Sequence, residues 1–152
     1  SREHHYGLLV CLRIHRGREK HNADSFCLRD RAEKTISFFE SDLRIHFAVE
    51  EQIVFPAMRE IKEAIAVIDT LTEEHRRLAT LADRLRSAQD VDLCPILREF
   101  ADLLEAHIRK EERVLFPCYE RNIAPQEDSQ VQAQVLQRIG SAMKPKRPEL
   151  LE

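Results

Sequence analysis

Two stretches of this chain repeat one chemistry, because His46-Phe-Ala-Val-Glu50-Glu51-Gln-Ile-Val-Phe55-Pro56 returns as His107-Ile-Arg-Lys-Glu111-Glu112-Arg-Val-Leu-Phe116-Pro117. A histidine and a glutamate four residues apart stand one above the other on a helix. Both pairs fall in stripes whose spacing, alternating three and four, otherwise holds core residues: Ile36, Phe39, Leu43, His46, Glu50, Ile53, Ala57, and Leu97, Phe100, Leu104, His107, Glu111, Val114, Cys118. A third stripe, Ile68, Leu71, His75, Leu78, Ala82, Leu85, carries one histidine, and a fourth, His5, Leu8, Leu12, begins with one. A buried carboxylate without a partner costs several kcal/mol and would ordinarily pick up a proton instead. Two of them in one core call for cations. Four imidazoles and two carboxylates form a nitrogen and oxygen donor set suited to iron, manganese or zinc. The candidate metal ligands are therefore His5, His46, Glu50, His75, His107 and Glu111. One turn apart on one face, His46 with Glu50 and His107 with Glu111 can each supply a terminal imidazole and a carboxylate that bridges two metals.

Long helices must position these groups. With 3 Gly and 6 Pro in 152 residues, and 43% hydrophobic residues, the composition favours an all-α fold. Periodicity places helices over about residues 2–21, 24–60, 63–87 and 94–122, with Asn22 and Asp24 as N-caps of the second and Asp92 with Pro95 at the start of the fourth. Short connections make sequential neighbours antiparallel, so the expected architecture is an up-down-up-down antiparallel four-helix bundle. The second and fourth helices then run the same way and bring the two repeats to one depth. A weaker segment at about 129–143 predicts a short extra helix, followed by a Lys- and Pro-rich solvated tail. The expected division is a bundle over residues 1–124 and a C-terminal extension over 125–152.

These residues resemble a known family. His5, the His46-xxx-Glu50 pair, His75 in Glu74-His75-Arg-Arg-Leu78, and the His107-xxx-Glu111 pair are similar to the bacterial hemerythrin-like, or HHE cation-binding, domain over about residues 2–122. The resemblance implies a bundle with two non-haem iron ions, oxo- or hydroxo-bridged, with manganese or zinc as other occupants. It implies terminal ligation by His5, His46, His75 and His107 and bridging by Glu50 and Glu111. It also implies a redox-active site open to a small diatomic or peroxide ligand. One departure from the family's oxygen carriers stands out: their second histidine, one turn after the third-helix ligand, is here Ala79. A position on one iron is then open to solvent or an exogenous ligand, which speaks against oxygen transport. His4 competes with His5 as the first-helix ligand, but neighbouring helical residues point about 100° apart, and the Leu8 spacing favours His5.

Several other features read as structural. His15 lies about 15 Å along the helix from His5, and His21 falls at a helix end. Glu51 and Glu112 lie off the stripes and read equally as solvated neighbours or as hydrogen-bond partners of a ligand imidazole. The Phe55-Pro56 and Phe116-Pro117 steps read as core aromatics followed by a kink. Ferritin-type Glu-x-x-His pairs are missing, since Leu43, Thr72 and Leu104 stand three before the histidines. Nothing matches a phosphate loop, a Ser/His/Asp set or a zinc-finger spacing.

The net charge of -3, from 24 basic and 27 acidic residues spread along the chain, provides no field to recruit nucleic acid or an anionic membrane. No apolar run approaches the ~20 residues of a membrane span, the start lacks a signal peptide's apolar core, and Cys11, Cys27, Cys94 and Cys118 form no CxxC pair. A cytoplasmic protein with reduced thiols is expected. The leading functional expectation is a di-iron protein that binds or senses dioxygen, nitric oxide, peroxide or iron status, rather than an enzyme. The alternatives are a di-iron enzyme that reduces peroxide or nitric oxide or oxidises ferrous iron, and a regulatory or storage domain whose metal stabilises a surface for another protein.

Overall fold

The computed structural model describes residues 25–142, so the expected first helix, with His4, His5, His15, His21 and the Asn22 and Asp24 caps, lies outside the described residues. Within them the chain is helical throughout, without strands. Helix α1 (residues 25–58) is built from Ser25–Phe38, a π-helical turn at Phe39–Leu43, Arg44–Val49, a second π-turn at Glu50–Val54, and Phe55–Met58. Helix α2 is the unbroken Lys62–Ser87. Helix α3 (residues 90–122) joins Asp90–Lys110, a π-turn at Glu111–Leu115, and Phe116–Asn122; α4 is Pro125–Ala142.

Tight connections reverse the chain. After α1, Ile61 donates its N–H to Met58 O (3.0 Å) and adopts an extended backbone that lets α2 start in the opposite direction. Between α2 and α3, Arg29 of α1 donates to Ala88 O (2.9 Å) and to Asp90 Oδ1 (2.6 Å), tying the loop to the first described turns. The core shows the antiparallel order directly. One apolar cluster joins Ala32 and Phe39 of α1 to Leu81 and Leu85 near the end of α2 and to Leu93 and Leu97 near the start of α3. The other joins Phe55 and Met58 to Ala64 and Leu71 near the start of α2 and to Leu115 and Cys118 in α3. Neighbours in sequence run opposite ways, while α1 and α3 run together.

The regular helix matches its expected stripe: Ile68, Leu71, His75, Leu78, Ala82 and Leu85 are all buried. The two helices with π-turns depart from theirs. In α3 the expected core residue Val114 is 45% exposed and Leu115 is fully buried in its place; in α1, Phe55 and Met58 are buried while Ile53 and Ala57 are only partly so. The cause is local. Phe55 N–H bonds Glu50 O, and Phe116 N–H bonds Glu111 O, each five residues back, so each turn holds one extra residue and re-aims the side chains that follow it, bringing Leu115 in for Val114 while Cys118 stays buried as expected. Pro56 and Pro117 follow at once, and a proline ring collides with the carbonyl four residues earlier in a regular helix. Widening the preceding turn relieves that collision, so the expected kinks take the form of π-turns.

Two boundaries also differ. Helix α3 starts at Asp90, not near Cys94, and Pro95 lies inside it. Helix α4 begins at Pro125, whose fixed φ suits a first turn, about four residues before the expected start. It packs against residues 44–54 of α1, buries Val131, and is tied to α3 where the Tyr119 hydroxyl donates to Asp128 Oδ1 (2.9 Å). Among the described residues no helix is long and apolar enough to cross a membrane, and Cys27, Cys94 and Cys118 are free thiols.

Candidate metal centre

A polar layer separates the two apolar clusters. Below Leu78 and above Leu71 in α2 comes His75, and at the same level α1 contributes Glu50 while α3 contributes His107 and Glu111. All four are buried, at 4%, 4%, 1% and 0% exposure for Glu50, His75, His107 and Glu111. One nitrogen or oxygen from each can be chosen so that all lie within 4.8 Å of one another. The structure therefore brings together four of the six expected ligands. His46 stands beside them, with Nε2 2.7 Å from Glu50 Oε1, and is slightly open to solvent at 17% side-chain exposure. His5 lies outside the described residues. Ala79, half-buried, packs against the upper apolar cluster and offers no donor.

Packing fixes the rings. His75 lies between Phe47, stacked at 3.8 Å and 15°, and Phe55, at 5.8 Å and 12°. Phe47 also meets the His107 ring edge-on at 5.5 Å. Both phenylalanines are in the HxxxEE repeat region of α1, and Phe55 reaches His75 because the π-turn after Glu50 swings it inward.

The donor set fits a metal ion on a specific ground. Glu50 Oε2, His75 Nε2 and His107 Nε2 are buried atoms without a hydrogen-bond partner, although Glu50 Oε2 and His75 Nε2 are 3.1 Å apart and His107 Nε2 is 2.9 Å from Glu111 Oε1. Buried polar atoms are nearly always satisfied in native proteins. Three on facing helices, all within one small group, define a place for a cation that accepts lone pairs from each of them.

Electrostatics agree. Burial by itself would raise the Glu50 pKa, but the charge of His46, held against Oε1, and the nearby His75 ring outweigh it, keeping the carboxyl well below its usual range. Burial would lower the His107 pKa, but the close Glu111 carboxylate, the hydrogen bond to Glu74 and the charge of Glu50 overcome it, raising the group to about 9. The metal-free layer thus keeps its carboxylate charge by keeping a proton on the imidazole.

Sequence reasoning missed one contributor. Glu74 is buried in α2 and receives His107 Nδ1 at 2.9 Å on Oε2, while the Lys110 ammonium meets Oε1. It lies beside the α2 stripe rather than in it, and the available signal was the pairing of an off-stripe glutamate on α2 with a lysine one turn past His107 on α3. Of the two open cases, Glu51 bonds His75 Nδ1 at 2.8 Å although it is exposed, and Glu112 is exposed as well.

Fold and site together define a helical bundle with a buried histidine and glutamate cluster suited to metal. The family model for the hemerythrin HHE cation binding domain matches residues 1–119, and the chain belongs to that family. Comparison with curated proteins and with solved structures gave no match.

Proposed function

We propose that this protein is a non-haem di-iron protein that binds or senses a small oxidising ligand, dioxygen, nitric oxide or peroxide. The observation that carries the reading is the set of buried donor atoms without hydrogen bonds, supplied by three helices at one level between two apolar clusters. His46, Glu50, His75, His107 and Glu111 would hold the metal, with His5 as the first-helix ligand that the family resemblance implies. Iron bound there would supply a redox-active centre with affinity for diatomic and peroxide ligands. The chain's part is to hold and shield it. Phe47 and Phe55 clamp His75, the clusters above and below exclude water, and Ala79 leaves one position without a side-chain donor. Nitrogen and oxygen donors of this kind also accept manganese or zinc.

Elemental analysis of protein purified without added metal tests the first half, with close to two irons per chain expected. Exposure of the reduced, iron-loaded protein to air or nitric oxide tests the second, with new visible ferric charge-transfer absorption expected in a fixed ratio to protein. Iron-loaded protein without such a change defeats the ligand-binding reading. The missing donor at Ala79 favours one second reading, an enzyme that reduces peroxide or nitric oxide or oxidises ferrous iron, for which catalytic turnover in place of stoichiometric binding is the mark.

A further inference from the structure

We infer that Glu74 is a positioning residue for the metal centre, turning the His107 ring so that Nε2 presents its lone pair to the metal, and that Glu51 does the same for His75 with a weaker hold. The inference rests on the metal reading above. Each imidazole has one nitrogen in the polar layer and the other on a carboxylate: His107 Nδ1 is 2.9 Å from Glu74 Oε2, and His75 Nδ1 is 2.8 Å from Glu51 Oε1. An ionised carboxylate can only accept, so Nδ1 must carry the hydrogen in both rings. In a neutral imidazole that leaves Nε2 as the lone-pair nitrogen, and Nε2 is the atom found without a hydrogen-bond partner in both His75 and His107.

The two carboxylates are built differently. Glu74 is buried at 8% exposure, and its second oxygen is held by the Lys110 ammonium, which sits on the same helix as His107 and anchors the contact from behind. Glu51 has 42% side-chain exposure and borders an open cavity of about 590 Å³ together with Arg59, Asp69 and Arg76. Water competes far more for Glu51 than for Glu74, so the grip on His107 is the firmer. Carboxylates that receive the distal N–H of a ligand histidine fix its tautomer and raise its basicity, and their loss typically weakens metal binding 10- to 100-fold.

Zinc(II) alone serves as the probe, since it is diamagnetic and accepts the same donors. Its affinity is measured by competition with a chromophoric chelator, and the histidine tautomers by long-range nitrogen–proton spectra of the zinc-loaded protein. Wild type is expected to show Nδ1–H on His107 and His75. Glu74→Ala is expected to weaken zinc about 10- to 100-fold and to lose the slowly exchanging His107 Nδ1–H signal. Glu74→Gln, whose amide oxygen still accepts that hydrogen, keeps the tautomer and recovers part of the affinity, and covers the case in which the alanine variant does not fold. Glu51→Ala is expected to lose less than Glu74→Ala. Glu73→Ala makes the same charge change at an exposed glutamate paired with Arg76 and leaves affinity unchanged. Wild-type affinity in Glu74→Ala with the His107 signal intact overturns the inference while the metal reading stands. A wild type that binds no zinc overturns both.

Discussion

At the residue scale the centre is a competition between protons and metal for the same lone pairs. In the metal-free protein His107 is raised from its ordinary 6.5 to about 9, against its burial, by the adjacent Glu111 carboxylate and the hydrogen bond to Glu74. A raised pKa contributes stability that is fully present below about 6.5 and is lost as pH climbs through about 9. The metal-free protein should therefore weaken across that window in denaturant titrations, and His107→Gln should flatten the slope. Metal must displace the same proton, so uptake at neutral pH should release close to one proton from His107. Calorimetric titration in buffers of different ionisation heat reads it directly. Proton release that does not change in the His107→Gln variant would place the titrating group elsewhere. The ligand types were legible because His and Glu interrupt apolar stripes. Glu74 was not, because a glutamate beside a stripe has the same sequence signature whether it faces water or a neighbouring helix's imidazole.

At the scale of the element, how far the sequence could be read depended on helix regularity. In α2, where every turn is α-helical, the three-and-four spacing names the buried residues one by one. In α3 the same spacing holds as far as Glu111, misses at Val114, where the π-turn brings Leu115 in instead, and holds again at Cys118. In α1, which has π-turns at Phe39–Leu43 and Glu50–Val54, it holds at Phe39, Leu43 and Glu50 but leaves Ile36, His46, Ile53 and Ala57 only partly buried. Pro56 and Pro117 announced a disturbance, but proline is compatible with a kink, a break or a widened turn, and only the backbone hydrogen bonds distinguish them. The shift makes a sharp prediction. Leu115→Ala should cost about 2–5 kcal/mol, as for other fully buried leucines. Val114→Ala, one residue earlier and 45% exposed, should cost well under half of that. Chemical denaturation of the two variants decides it. A reversed order would mean that α3 runs on as a regular helix and that the expected stripe through Val114 is correct. A parallel pair, Met58→Ala against Ile53→Ala at the expected but only partly buried stripe position, probes the departure in α1, with the larger loss expected at Met58.

For the whole molecule, the bundle order could be read from short connections and from the repeat, while the seat of α4 could not. Its stripe is weak, and the sequence does not say which groove it takes; the structure lays it against residues 44–54 of α1, the segment with His46 and Glu50. The metal layer itself is the point where α1, α2 and α3 meet, so an ion there is a cross-link among three helices that the unfolded chain cannot form. A ligand that binds only the folded state stabilises it in proportion to the logarithm of its saturation, about 4 kcal/mol at a free concentration 1,000 times the dissociation constant. For a domain of this size 1 kcal/mol moves the melting point roughly 2–4 °C, so a chelator should lower it by on the order of 8–16 °C. Glu111→Ala, which removes one donor, should abolish most of that difference, since the metal-loaded and metal-free proteins then become nearly the same species. Removing residues 125–142 should act differently, because no expected ligand lies in α4. It should lower both melting points by a similar amount, through loss of the Val131 contact and the Tyr119–Asp128 hydrogen bond, and leave their separation intact. Scanning calorimetry of the three proteins, each with and without chelator, separates the two effects. If truncation instead collapses the separation, α4 takes part in holding the centre through the His46 and Glu50 turn, although no expected ligand lies on it.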